Sequence, residues 1–213
     1  GFVIEGFRLN LAGDPTSSDA LTVAGGIDVT ANYCAIRHCL GNTGVASDQI
    51  IGVFGIRVSA GGNFCTINDN ILTPFDATAG TPTYAGLTTA DISAAGTVIR
   101  VTAADGLRMQ RNIIIASTTT VTDGVLEGLT TLSSHVLIED NTFHNNASDS
   151  TCAVDFGALV MTGTYRRNIH KVTADVTALP VVFTASGHDL ALMDNFSINN
   201  VGERGLVLGT ASV

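Results

Sequence analysis

One asparagine returns along this chain with the same kind of neighbours: Phe7-Arg8-Leu9-Asn10, Ile67-Asn68-Asp69-Asn70, Met109-Gln110-Arg111-Asn112, Ile138-Glu139-Asp140-Asn141, Tyr165-Arg166-Arg167-Asn168 and Leu192-Met193-Asp194-Asn195. Ile36-Arg37-His38-Cys39 fills the gap after the first copy, with Cys39 in the asparagine place, so the steps between copies are 29, 31, 42, 29, 27 and 27 residues. A motif that recurs at this interval marks a repeat architecture in which each copy is one turn of a coil. That assignment decides what every other residue is for.

The local pattern is that of strands. The residue three before the asparagine place is apolar or aromatic in every copy, and the residue after it is apolar in all but one, Thr142. Five before it stand Cys34, Cys65, Leu107, Val136 and Leu190, which gives a period of two leading into the asparagine. Asparagine tolerates the left-handed backbone that a strand-to-strand corner demands, and stacked amides can bond one another. A second set of β-rich segments precedes the copies: Gly25-Gly26-Ile27-Asp28-Val29, Gly52 to Val58, Thr97 to Val101, Gly124 to Leu129, Val154-Asp155-Phe156 and Val181-Val182-Phe183. Two or three short strands per turn, paired in parallel with the next turn at a spacing of ~4.8 Å, close a coil. About seven such coils make a rod on the order of 30 Å long.

Ile138-Glu139-Asp140-Asn141-Thr142-Phe143 resembles the Ile-x-x-Asn-x-Phe repeat of right-handed parallel β-helices, and the resemblance covers nearly the whole chain. It implies an all-β fold, a right-handed parallel β-helix (solenoid) with an asparagine ladder at one corner. Activity does not follow from it, because that fold serves pectin and alginate lyases, polygalacturonases, phage tailspikes, adhesins and virion decoration proteins. No composition shift marks a second domain, so the expectation is one β-helix domain over 1–213 with a loop insertion at about 73–90. The insertion accounts for the longest step and carries Pro82 as well as Phe75 and Tyr84, two rings that either contact a subunit or a sugar ring or fold back to cover their own loop. Neither end shows an amphipathic capping helix, so the ends are expected to be covered by partners or to continue.

Charge narrows the partners. The net charge of −9 and the single lysine, Lys171, argue against nucleic acid or acidic lipid, and no apolar run approaches the length of a membrane span. Charged residues make up only 14% of the chain, which leaves a surface suited to burial against other subunits, a trimer being the expected state. Cys34 and Cys65 share a column, Cys39 replaces a ladder asparagine and Cys152 stands apart, a pattern of free buried thiols. No Cys or His spacing suits a metal, and no cofactor motif is present.

Glycan-cleaving β-helices place two or three carboxylates, or a base with a cation, on an outer face. Asp69, Asp140 and Asp194 invite that role, but the column just before the asparagine runs Asp69, Arg111, Asp140, Arg167, Asp194, with the sign alternating at every step. Such a column is an ion-pair ladder. The catalytic candidates are Glu127 and Asp155, with Arg57, thirteen or fourteen residues before their asparagines. Two neighbouring unpaired acids would raise one pKa, as a general acid requires; otherwise both are solvated outward positions. His188 in Ser186-Gly187-His188-Asp189 resembles the Gly-His-Gly of polygalacturonases, without that family's other elements, and the pectate lyase Arg-x-Pro-x-x-Arg run is absent. The leading expectation is therefore a structural protein of a phage virion, decorating a capsid or forming part of a tail, located in the virion. Alternatives are a tailspike-like polysaccharide lyase or glycoside hydrolase, and a non-catalytic glycan-binding adhesin of extracellular location.

Overall fold

The computed structural model describes residues 1–10, 24–42, 53–58, 61–75, 99–101, 104–116, 126–128, 133–145, 152–156, 160–172, 179–183, 189–199 and 207–208. Over them the chain forms strands and no helix, numbered in chain order and gathered into three parallel seven-stranded sheets. The first sheet takes β1 (Val3–Glu5), β4 (Ala35–Arg37), β7 (Thr66–Asn68), β10 (Arg108–Gln110), β13 (Ser133–Glu139), β16 (Met161–Arg166) and β19 (Asp189–Met193). The second takes β2 (Arg8–Asn10), β5 (Leu40–Asn42), β8 (Ile71–Phe75), β11 (Ile113–Ala116), β14 (Thr142–Asn145), β17 (Ile169–Val172) and β20 (Phe196–Asn199). The third takes β3 (Ala24–Val29), β6 (Val53–Val58), β9 (Ile99–Val101), β12 (Leu126–Gly128), β15 (Cys152–Asp155), β18 (Leu179–Phe183) and β21 (Val207–Leu208). Every third strand pairs with its equivalent one turn away, so the fold is a parallel β-solenoid with three strands per coil.

Alternation fills the interior. Ile36, Ile67, Met109, Ile138 and Tyr165 are buried in one column of the first sheet. Leu72, Ile114 and Phe143 stack in the second, and Ile27, Ile56, Ile99, Leu126, Val154 and Val181 in the third. Each fully buried aliphatic contributes roughly 1.5–3 kcal/mol. In the Cys34–Cys65–Leu107–Val136–Leu190 column the sixth place belongs to Gly163, at φ +130°, where an added Cβ would run into the Val136 carbonyl.

The asparagine column uses its full bonding capacity. In each coil the Oδ1 accepts two bonds from the coil before, and the Nδ2 donates one to the coil after. Asn141 Oδ1 takes the Asn112 N–H at 3.0 Å and its Nδ2 at 2.8 Å, while Asn141 Nδ2 reaches Asn168 Oδ1 at 3.0 Å and the Met109 carbonyl at 3.0 Å. The same scheme runs from Asn70 through Asn112 and Asn168 to Asn195. Cys39 ends it by donating its N–H to Asn70 Oδ1 at 3.0 Å.

Two details differ from the sequence reading. The left-handed residue is the one before the asparagine: His38, Asp69, Arg111, Asp140, Arg167 and Asp194 have φ of 52–58°. That turn aims the asparagine inwards, where its amide replaces the sheet bonding that the corner interrupts. The first copy is also displaced by three residues. Ile4 pairs with Ile36, so Phe7 holds the ladder place and Asn10 pairs with Asn42 on the second sheet. Phe7-Arg8-Leu9-Asn10 satisfies the pattern by spacing, whereas the inward apolar residue of that coil is Ile4.

Asn141→Ala removes both bonds accepted from Asn112, leaving the Asn112 N–H without its partner, and takes the amide donor from the Met109 carbonyl and from Asn168 Oδ1, which keeps only the backbone N–H of residue 141. We expect a loss of about 4 kcal/mol, read as a drop of roughly 10 °C in Tm, with a smaller loss for Asn195→Ala, whose surroundings are only partly buried.

Candidate functional site

At the ion-pair corner the charges are paired across coils. Arg111 donates from Nε and Nη2 to the two Asp69 oxygens at 2.7 and 2.8 Å, and Arg167 does the same to Asp140. Each arginine reaches back one coil, so the alternating column resolves into two bidentate pairs among the described residues. Glu139 beside them is nearly buried and accepts from Arg166 Nε at 2.6 Å, Gln110 Nε2 at 2.6 Å and Arg167 Nη2 at 2.9 Å. Burial pushes its carboxyl up, but those donors outweigh it and leave the group below the ordinary range. A carboxylate so held is no general acid.

The catalytic candidates lie on the third sheet. Glu127 pairs with Asp155 in register, as expected of neighbouring coils, but its other neighbour is Arg100, and Arg57 comes one coil further, next to Asp28. The column therefore reads Asp28, Arg57, Arg100, Glu127, Asp155. Asp155 is half-buried and is not a free carboxylate. Arg100 belongs to this column, and a period-two count along β9 would have found it. His188, Pro82, Tyr84 and the interior of the predicted insertion lie outside the described residues.

A second ladder went unread in the sequence. At the corner entering the first sheet, Asn63 N–H donates to Asn32 Oδ1 at 3.2 Å, Asp105 N–H to Asn63 Oδ1 at 2.9 Å and Ser134 N–H to Asp105 Oδ1 at 3.0 Å. Its signal is the constant spacing of seven residues to Cys39, Asn70, Asn112 and Asn141. The next residue is again left-handed: Tyr33, Phe64, Gly106 and His135 have φ of 56–63°. The Tyr33 and Phe64 rings stack at 5.3 Å though 67% and 51% exposed, and Phe64 lies over Gly106, where a Cβ would strike the ring.

Among the described residues, a run of exposed apolar side chains lies on the second sheet. The residue after each ladder asparagine points outwards, and down that register stand Leu40, Ile71, Ile113, Thr142, Ile169 and Phe196. Leu40 is 50% exposed, Ile71 42%, Ile113 40%, Ile169 41% and Phe196 60%. Beside it run Ile115, His144, Lys171 and Ile198. Between Leu40 and Phe196 the main column holds no charge. Among the described residues no group of three or more Cys, His, Asp or Glu could hold a metal ion.

No family model, curated protein or solved structure matches this chain. The geometry of its own surface is therefore what bears on function.

Inside the second sheet, His170 is buried between Phe143 and Tyr165, with Nε2 bonded to the Tyr165 hydroxyl and Nδ1 at 3.3 Å from Ser197 Oγ. Burial pushes His170 down to about 4. Unfolded histidine titrates near ~6.5, so between those values the unfolded chain binds a proton that the fold refuses. Stability is full above that window and falls as pH drops through it, by about 3 kcal/mol. His144, lowered by burial and by Lys171, acts in the same direction. The bonds from Arg111, Ser134 and Arg167 hold Asp69, Asp105 and Asp140 below the ordinary range, and their contribution is lost only at lower pH. Urea midpoints should therefore fall between pH 7.5 and 4.5. In His170→Met most of that fall should disappear, on a lower baseline because Tyr165 loses its partner.

Proposed function

We propose that this chain is a structural subunit of a phage virion, a solenoid that packs against copies of itself, as a trimer, through the outer face of its second sheet, on a capsid or tail. The observation that carries this reading is the uncharged apolar column from Leu40 to Phe196. Outward positions of a solenoid cannot be buried by their own coil, and contiguous apolar strips of this kind mark interaction surfaces. Burying the exposed parts of five large side chains contributes on the order of 5 kcal/mol per face. For a chain of net charge −9, like copies repel, and an uncharged strip is the surface along which they approach at least cost. The virion itself is supported by the repeat's resemblance to virion β-helices.

A glycan-directed reading keeps two observations. Glu127 and Asp155 are neighbours in register, and Tyr33 and Phe64 form an exposed aromatic pair. In the register of the third sheet Glu127 stands between Asp155 and Arg100, so the column places a base as well as an acid next to it.

Light scattering at several concentrations should give three times the chain mass of 21.9 kDa, and Ile71→Lys with Ile113→Lys should reduce it to one. A wild-type monomer at every concentration would overturn the assembly. Against a panel of polysaccharides the wild-type chain should release no oligosaccharides; release that Glu127→Gln and Asp155→Asn both abolish would establish the enzyme instead.

A further inference from the structure

We propose that Cys34 and Cys65 form an oxidative cross-linking site, an intramolecular disulfide that staples two successive coils. In the structure both thiols are free and buried. They hold equivalent places one coil apart, since Ala35 pairs with Thr66 in the parallel first sheet. Parallel neighbours lie ~4.8 Å apart, inside the Cα separation that a disulfide bridges. The side chains converge as well. Cys34 donates its N–H to Cys65 Sγ at 3.2 Å, and both thiols donate to one oxygen, the Ala31 carbonyl, at 3.1 and 3.3 Å.

Cys39 has no share in this arrangement. It sits at the asparagine corner, its thiol directed at the Arg37 and Ile4 carbonyls. Above Cys65 the column continues as Leu107, so the thiol pair has no third member there. Column geometry thus selects one pair out of the four cysteines of the chain.

With hydrogen peroxide as oxidant, one thiolate attacks a peroxide oxygen, the O–O bond breaks, and hydroxide leaves and takes up the proton the thiol gave. The sulfenic acid so formed is attacked by the second sulfur, and its oxygen leaves as a second water. Two thiols and one peroxide become one disulfide and two waters. Burial pushes the Cys65 thiol up, so thiolate is scarce at neutral pH and the reaction quickens as pH rises. Once closed, the bond spans 31 residues and prevents these two coils from separating.

The test is mass spectrometry of the full chain after hydrogen peroxide at pH 8.5, without reduction. Trypsin cuts after Arg37, Arg57, Arg100 and Arg111, so all four cysteines fall on different peptides. The expected result is a mass loss of about 2 Da, a single linked pair of peptides carrying Cys34 and Cys65, and a rise in Tm of roughly 5 °C that dithiothreitol reverses. Cys39→Ala should cross-link as wild type and Cys34→Ala should not. Four thiols still titratable in denaturant, sulfinic acids at Cys34 or Cys65, or a link through Cys39 or Cys152 would overturn the proposal. The peptide map uses the wild-type chain and does not depend on any variant folding.

Discussion

The asparagine amide at the first corner is the interaction on which the rest of the coil depends. A strand that turns out of its sheet leaves backbone N–H groups without ladder partners, and inside the coil no water replaces them. Asparagine solves this because it carries two donors and an acceptor with two lone pairs on a short stem. Each of these is used: Oδ1 takes two bonds from below, and Nδ2 gives one upwards and one to the carbonyl of the inward residue one coil below. Aspartate lacks the donors, serine has only one, and glutamine is one methylene too long for a column stacked at strand spacing. Cys39 illustrates the remainder. It fits the volume and donates its backbone N–H, but its thiol is 3.8 Å from the Ile4 carbonyl, a weak bond in place of the amide's.

The two corners are built on opposite senses. At the asparagine corner a backbone N–H donates to the side chain of the following coil; at the Asn32–Asn63–Asp105–Ser134 corner it donates to the side chain of the preceding one. In both, the left-handed residue is adjacent to the ladder residue and points away from the core. That position tolerates Asp, Arg, His, Tyr and Phe alike, at a backbone cost of about 1 kcal/mol each. Being free of packing demands, it is where the chain places charge at one corner and aromatic rings at the other. The Arg111–Asp69 and Arg167–Asp140 pairs are largely exposed and contribute little to stability. Their effect is on register, because a slip of one coil sets like charges side by side.

The repeat, the parallel solenoid, the ladder and the stacked Cys34–Cys65 column were legible because each rests on identity at a fixed interval. The phase of the first coil was not. Phe7-Arg8-Leu9-Asn10 and the true phase through Ile4 both offer an apolar residue at the right spacing, and only pairing against Ile36 distinguishes them. The second corner escaped because its residues change identity from Asn to Asp to Ser while keeping one function, that of a short side-chain acceptor. Glu127 and Asp155 were legible as neighbours. Arg100 between them and Arg57 escaped because it stands 12 residues before its asparagine where the others stand 13 or 14, although alternation along β9 turns it to the same face.

The same geometry explains why the outer column of the second sheet carries information. Once the ladder asparagine faces inwards, alternation forces the next residue outwards in every coil. No adjustment of side chains within the coil can bury it. At an enforced surface position, polar residues would serve the isolated fold as well as apolar ones. The chain nevertheless has Leu40, Ile71, Ile113, Ile169 and Phe196 there, with Thr142 among them and Arg8 at the same register in the first coil. A single exposed leucine calls for no explanation; five in one register, broken only by Thr142 and aligned by hydrogen bonds along successive coils, make an apolar line that another surface could take out of water.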